Sequence, residues 1–170
     1  YAAQILGDLG AEVIKVERPG KGDDSRHYAP VYMPAIPGAP GLAGEHGDAA
    51  HFISVNRNKR SVTLDHATPK GSDIVRRLLA DADVFIENYK TGSLARYGLG
   101  YEDLKKINPR LIYCSVTGYG QDGPYSDRAG FDPGFQAMCG FMGVTGIEDG
   151  KRGAGPLRAG MNITEIITGQ

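Results

Sequence analysis

The stretch SVTLDHATPKGSDIVRRLLADADVFI, residues 61–86, decides the fold. Ser61 to Leu64 reads as a strand, and Thr68-Pro69 then sets a capping hydroxyl before a proline at the first helical position. Ile74, Val75, Leu78 and Leu79 recur at helical spacing, which predicts a helix with all four buried, and Asp83 to Ile86 reads as the next strand. Outward from this strand, helix, strand unit the pattern repeats. Toward the C-terminus come a small helical segment around Leu94 to Tyr97 and a helix from Tyr101 to Ile107 stopped by Asn108-Pro109. The most apolar strand, Leu111 to Val116, follows, and then helical spacing of Phe135, Met138, Cys139 and Met142. Toward the N-terminus, Gln4 to Leu9 reads as a helix end closed by Gly10, and Glu12 to Val16 as a short strand. Residues 18–50 are Gly- and Pro-rich and longer than an ordinary connection, which marks a functional or mobile loop. This alternation predicts an α/β fold: a doubly wound, Rossmann-like, mostly parallel sheet with helices on both faces.

The 170 residues fit one domain able to bury a core without metal or disulfide staples. The chain opens at Tyr1 inside a helical pattern and stops at Gln170 inside an apolar one, so both ends read as cut. A net charge of −1 gives no field that argues for nucleic acid or an anionic membrane as partner. No apolar run approaches the ~18 residues of a membrane span. Cys114 and Cys139 lie in apolar segments without metal spacing or a disulfide-rich context, which predicts core thiols in a reducing, cytoplasmic compartment. With the N-terminal end reading as cut, mitochondrial or peroxisomal residence is the alternative expectation. His27, His46, His51 and His66 have no metal-ligand spacing and read as surface or hydrogen-bonded histidines.

In open α/β sheets ligands bind outside the carboxyl ends of the strands, so the residues that follow each strand carry the functional reading. Here they are polar: Glu17-Arg18-Pro19-Gly20, then Glu87 to Gly92, then Thr117 to Gly120. Arg18, Lys90 and Arg96 near this rim are suited to pairing with phosphates, with solvated surface charge as the alternative. Gly118-x-Gly120-x-x-Gly123 matches a dinucleotide fingerprint, but Pro124 onward shows no helical period and no acid follows at the required distance. A tight glycine turn therefore explains it better than a nicotinamide-dependent oxidoreductase. Asn56 to Arg60 is basic but lacks an aromatic stacking series, so a phosphate-facing or subunit-facing role suits it better than nucleic acid. Asp132 and Glu165 form a candidate carboxylate pair, and pattern alone leaves Glu165 equally at home on an exposed polar face.

Several segments in order resemble the family III CoA-transferases over nearly the whole chain. They are Leu9 to Asp23, Asn56 to Asp65, Ala82 to Asn88, Leu99 to Leu104, Asn108 to Tyr113 and Gly118 to Pro124. The resemblance implies that residues 1–170 are the N-terminal part of a large CoA-binding α/β domain in an interlocked homodimer. It places coenzyme A or acyl-CoA, as substrate and not as permanent cofactor, at Arg18, Leu64, Asp65, His66, Ala67, Asn88, Tyr89, Lys90, Arg96, Ala129, Gly130 and Phe131. It makes the reaction the transfer of CoA from an acyl-CoA to a small carboxylic acid, with no metal.

The family's nucleophile is an aspartate four residues before a glycine, and the position four before Gly169 holds Glu165. Glutamate supplies the same carboxylate on a chain one methylene longer. Asp132 is expected to support it by positioning Glu165 or CoA. The family's racemase branch has histidine where this chain has Phe131, and a phenyl ring moves no proton, which disfavours an acyl-CoA racemase. A non-catalytic CoA-binding homologue is a further alternative.

Overall fold

The structure, a computed structural model, describes residues 1–28, 30–34 and 47–170. Among the described residues four short strands carry it: β1 (Val13–Glu17), β2 (Lys59–Thr63), β3 (Val84–Glu87) and β4 (Ile112–Ser115). All ladder pairings between them are parallel, as the helical crossovers between strands require. The strands bond in two pairs, β1 with β2 and β3 with β4. Glu17 stands beside Thr63 and Glu87 beside Ser115, so each pair ends its two strands level.

One core serves both pairs. Leu64, Val75, Leu79, Leu94, Leu99, Leu104 and Leu111 are buried together, with Val62 of β2, Phe85 of β3 and Tyr113 of β4 packed against them. Helix α3 (Pro69–Ala80) supplies Val75 and Leu79, and α4 (Tyr101–Ile107) supplies Leu104. The start of α3 follows from its sequence: Pro69 occupies the first turn and the Thr68 hydroxyl accepts from the Gly71 N–H at 3.1 Å. Its C-terminal end is held from a distance, by the buried Asn108 amide donating to the carbonyls of Leu79 (3.1 Å) and Ala82 (2.7 Å). Asn108 thus ends α4 and caps α3 as well.

Two burial expectations are corrected. Leu78 is exposed, because the inward face of α3 is narrow and takes only Val75 and Leu79 fully, with Ile74 half-buried. Cys139 is exposed just past the end of α5 (Asp132–Met138), and Cys114 on β4 is half-buried, so neither is a core thiol. The reason is that α5 turns its polar side inward: Asp132 and Gln136 are buried while Met138 is exposed. Periodicity located that helix and pointed its apolar face the wrong way.

Among the described residues the remaining helices are α1 (Ala2–Asp8), α2 (Ala50–Asn56), α6 (Phe141–Val144) and α7 (Ile163–Thr168), with 3-10 turns at Asp24–His27 and Leu94–Tyr97. Helix α2 had no expectation in the sequence. It buries Phe52, and the Arg26 guanidinium lies 3.8 Å from that ring. Arg26 also makes a two-point ion pair with the buried Glu17 (2.8 and 2.7 Å) and reaches Asp48 at 2.6 Å. Part of the 18–50 stretch, and His46, lie outside the described residues.

Candidate functional site

The strand ends make a rim on which several expected residues meet. The His66 ring packs edge-on against Tyr89 at 5.1 Å and against Tyr97 at 5.6 Å, joining the end of β2 to the end of β3. Burial raises the Tyr89 phenol above its ordinary pKa, and the charge of Arg18, which follows the end of β1, opposes that rise. Arg18 is half-exposed and paired with Asp24 at 2.6 Å, and Lys21 shares that carboxylate at 2.9 Å. Asn88, Lys90 and Arg96 are exposed beside these groups in the chain.

Other expected residues serve this rim through the backbone. Leu64 is buried in the core, and its N–H donates to the Glu17 carbonyl at 3.0 Å. Asp65 shapes the turn after β2: its side chain accepts from the Ala67 N–H at 2.9 Å and its carbonyl accepts from the Thr68 N–H at 3.2 Å. Glu87, buried at the end of β3, accepts from the Tyr89 N–H at 2.7 Å and from the Ser115 hydroxyl, which also takes a bond from Gln121 at 2.6 Å. This acid, serine and amide chain fixes the two loops that leave β3 and β4, and in the sequence only its place at the strand ends marks it.

The glycines after β4 make turns and close approaches. Gly120 and Gly123 have positive φ (86° and 93°), and no helix opens at Gly123. The Phe135 ring lies over Gly118 and Gly130, where an added methyl would come within 3.1 Å and 2.1 Å of it. Tyr119 packs against Phe135 at 5.5 Å, which continues the contact from the rim into α5. Phe131 and Ala129 are exposed on either side of Gly130.

Asp132 and Glu165 are brought together by α7. Asp132 is 1 % exposed, and one carboxylate oxygen accepts from the Thr164 backbone N–H at 2.9 Å and from the Thr164 hydroxyl. The other oxygen accepts from the Gln136 amide. Burial alone would raise the Asp132 pKa, but the donors from Thr164, Gln136 and the Glu165 backbone outweigh it and hold the carboxyl below its ordinary value. Asp132 therefore caps the first turn of α7 across a gap of thirty-two residues in sequence. Glu165 is exposed in that same turn, with the Asn162 amide 3.2 Å from one of its oxygens. Direct contact between the two carboxylates is not what joins them; the backbone of α7 is.

Sequence reading missed Gln136 and Thr164. Gln136 lies four residues after Asp132, a spacing that puts both on one helix face, and that was the available signal. The basic segment Asn56 to Arg60 proves to be internally matched: Arg57 pairs with Asp8, Arg60 with Glu12, and Lys59 with the Val55 carbonyl and the Asn56 side chain. His27 and His51 are exposed, and His51 stacks on Tyr28. Among the described residues no group of acids, histidines and cysteines is placed to hold a metal ion, and no helix is long and apolar enough to cross a membrane.

Known proteins are similar to this chain. A succinate–glutarate CoA-transferase of Agrobacterium fabrum is 48% identical over 169 residues, covering 99% of this chain and 40% of that protein. A succinyl-CoA:glutarate CoA-transferase of Mus musculus is 49% identical over 169 residues, covering 99% of this chain and 35% of that protein. The crystal structure of a CAIB/BAIF family protein from Brucella suis superimposes with a TM-score of 0.87 at 47% identity, covering 99% of this chain and 41% of that one. The chain thus spans about two fifths of the length of the relatives it matches. Residues 1–170 match the model of CoA-transferase family III from end to end, and the chain belongs to that family.

Proposed function

We propose that the protein carrying this chain transfers CoA from an acyl-CoA to a free carboxylic acid, with Glu165 as nucleophile. The observation that carries the reading is an exposed carboxylate on a helical turn that is fixed from beneath by the buried, ionised Asp132. Membership of CoA-transferase family III supplies the reaction class. The names of the two relatives, both of which pair succinate or succinyl-CoA with glutarate, favour short dicarboxylic acids as the exchanging partners.

The Glu165 carboxylate attacks the acyl-CoA carbonyl, forming a mixed anhydride and expelling CoA thiolate. The thiolate attacks the glutamyl carbonyl of the anhydride, giving a glutamyl-CoA thioester and releasing the donor acid. The acceptor carboxylate then attacks the thioester, forming a second anhydride and freeing the thiolate again. Attack of the thiolate on the acceptor's acyl carbon yields the new acyl-CoA and restores Glu165. The CoA phosphates would lie along the rim of Arg18, Lys90 and Arg96, with His66, Tyr89 and Tyr97 as its floor. Asp132 acts as a positioning residue, and two such chains would form the dimer the family resemblance implies.

Glu165→Gln keeps size and removes the anionic nucleophile, so transfer should fall to background while CoA still binds. Hydroxylamine added during turnover with succinyl-CoA and glutarate should leave a hydroxamate on the peptide that contains Glu165. Recovery of that label on Asp132, with Glu165→Gln still active, would overturn the assignment.

A further inference from the structure

Gln136 is fully buried, at 0 % exposure, and every polar atom of its side chain is engaged. Its amide nitrogen donates to the Asp132 carboxylate and to the Met161 carbonyl (3.2 Å), and its oxygen accepts from the Ala159 N–H at 2.9 Å. One side chain therefore grips three things: the carboxylate that caps α7, and both ends of the three-residue segment 159–161 that leads into it. No other described residue bonds to both Asp132 and that segment.

We propose that Gln136 is a positioning residue for the carboxylate of Glu165. Asp132 has one oxygen for α7 and one for Gln136. With the Gln136 bond in place the carboxylate cannot rotate about its terminal torsion, so the oxygen facing α7 presents a fixed acceptor to the Thr164 N–H. The grip on Ala159 and Met161 sets the approach of the chain to the same turn. Glu165 begins one residue beyond Thr164, so its backbone inherits both constraints. An amide is suited to this post, because it donates to Asp132 and accepts from Ala159 at once without adding a second buried charge. Glutamate at this position would put like charge against Asp132, and an apolar residue would leave a buried carboxylate oxygen and a backbone N–H without their partners.

The inference rests on Glu165 being the nucleophile, and its test separates the two. In the whole protein Gln136→Met keeps volume and removes all three bonds. Expected are a 10- to 100-fold drop in kcat for succinyl-CoA with glutarate, in line with a misplacement of about 1 Å, and a KM for succinyl-CoA within about twofold. Amide hydrogen exchange at Thr164 should speed up without a global loss of protection. In an Asp132→Asn background the same substitution should cost little more, because residues that act through one another are not additive. Unchanged kcat in Gln136→Met overturns the proposal, as does a fully additive loss on Asp132→Asn accompanied by general loosening of exchange. If Glu165→Gln keeps transfer and the hydroxamate is recovered elsewhere, it is the nucleophile assignment that fails, and the Thr164 exchange rate still decides whether Gln136 holds the turn.

Discussion

At the scale of the residue, the most heavily engaged carboxylates are those that touch no substrate in the proposed reaction. Glu17 is 3 % exposed at the end of β1, and burial by itself would raise its pKa. The Arg26 guanidinium, the Ser61 hydroxyl and the Asp23 N–H reverse that and hold it at about 2, against an ordinary glutamate value of 4.5. A depressed folded-state pKa means that the stabilisation is complete above the unfolded value and is lost as pH falls through the folded one. The window is therefore pH 4.5 down to about 2. Glu17→Gln takes the two-point partner from the buried Arg26 and leaves it Asp48 alone, so it should cost about 1.5–3 kcal/mol at pH 7. The gap between variant and native protein should narrow as pH drops below 4.5, a convergence that urea unfolding at pH 7 and at pH 3 will register. A gap that stays constant would mean that Glu17 is not the titrating group.

At the scale of the element, close approach of backbones governs the turn after β2. An added methyl at Gly71, in the first turn of α3, would sit 1.8 Å from the Asp65 carbonyl oxygen and 2.9 Å from the Thr68 hydroxyl. Two effects oppose each other in Gly71→Ala. Helix propensity favours alanine by up to about 1 kcal/mol, whereas forcing a methyl into filled space costs about 1–3 kcal/mol. The obstacle is backbone and has no flexible end to swing aside, so the clash should win, with a net loss of about 1–2 kcal/mol in urea unfolding. Because the Asp65 to Ala67 turn carries His66, CoA affinity should weaken in the same variant. The cap of α3 was legible in Thr68-Pro69 because capping is local chemistry, decided within four residues. The inward face of α5 was not legible, because the buried Asp132 and Gln136 find hydrogen-bond partners at Ala159, Met161 and Thr164, more than twenty residues away. Periodicity scores a helix by its apolar side and has no means to see a polar side that has been satisfied elsewhere.

At the scale of the whole molecule, a near-neutral chain concentrates cations where both strand pairs end. The net charge is −1, yet Arg18, Lys21, Lys90 and Arg96 follow the ends of β1 and β3 in the chain. The two pairs share no ladder, so what brings these ends together is the common core and the packing of His66 on Tyr89 and Tyr97. Asp24 already occupies Arg18 and Lys21 at 2.6 and 2.9 Å, and under the proposed function a CoA phosphate would have to compete with it. Arg18→Ala should weaken CoA binding by about 1.5–3 kcal/mol if the guanidinium makes a charged hydrogen bond to phosphate. Asp24→Asn should do the opposite on a smaller scale, because exposed ion pairs contribute little. Releasing both cations from it should therefore tighten CoA only slightly. Both effects should shrink between low salt and about 0.5 M salt, where the screening length falls to a few ångströms. Calorimetric titration of CoA into the whole protein and its two variants at both salt concentrations separates the outcomes. Opposite shifts that fade together with salt support a phosphate rim at the strand ends. If Arg18→Ala leaves the affinity unchanged at low salt, Arg18 serves only to hold Asp24, and the CoA phosphates are bound elsewhere.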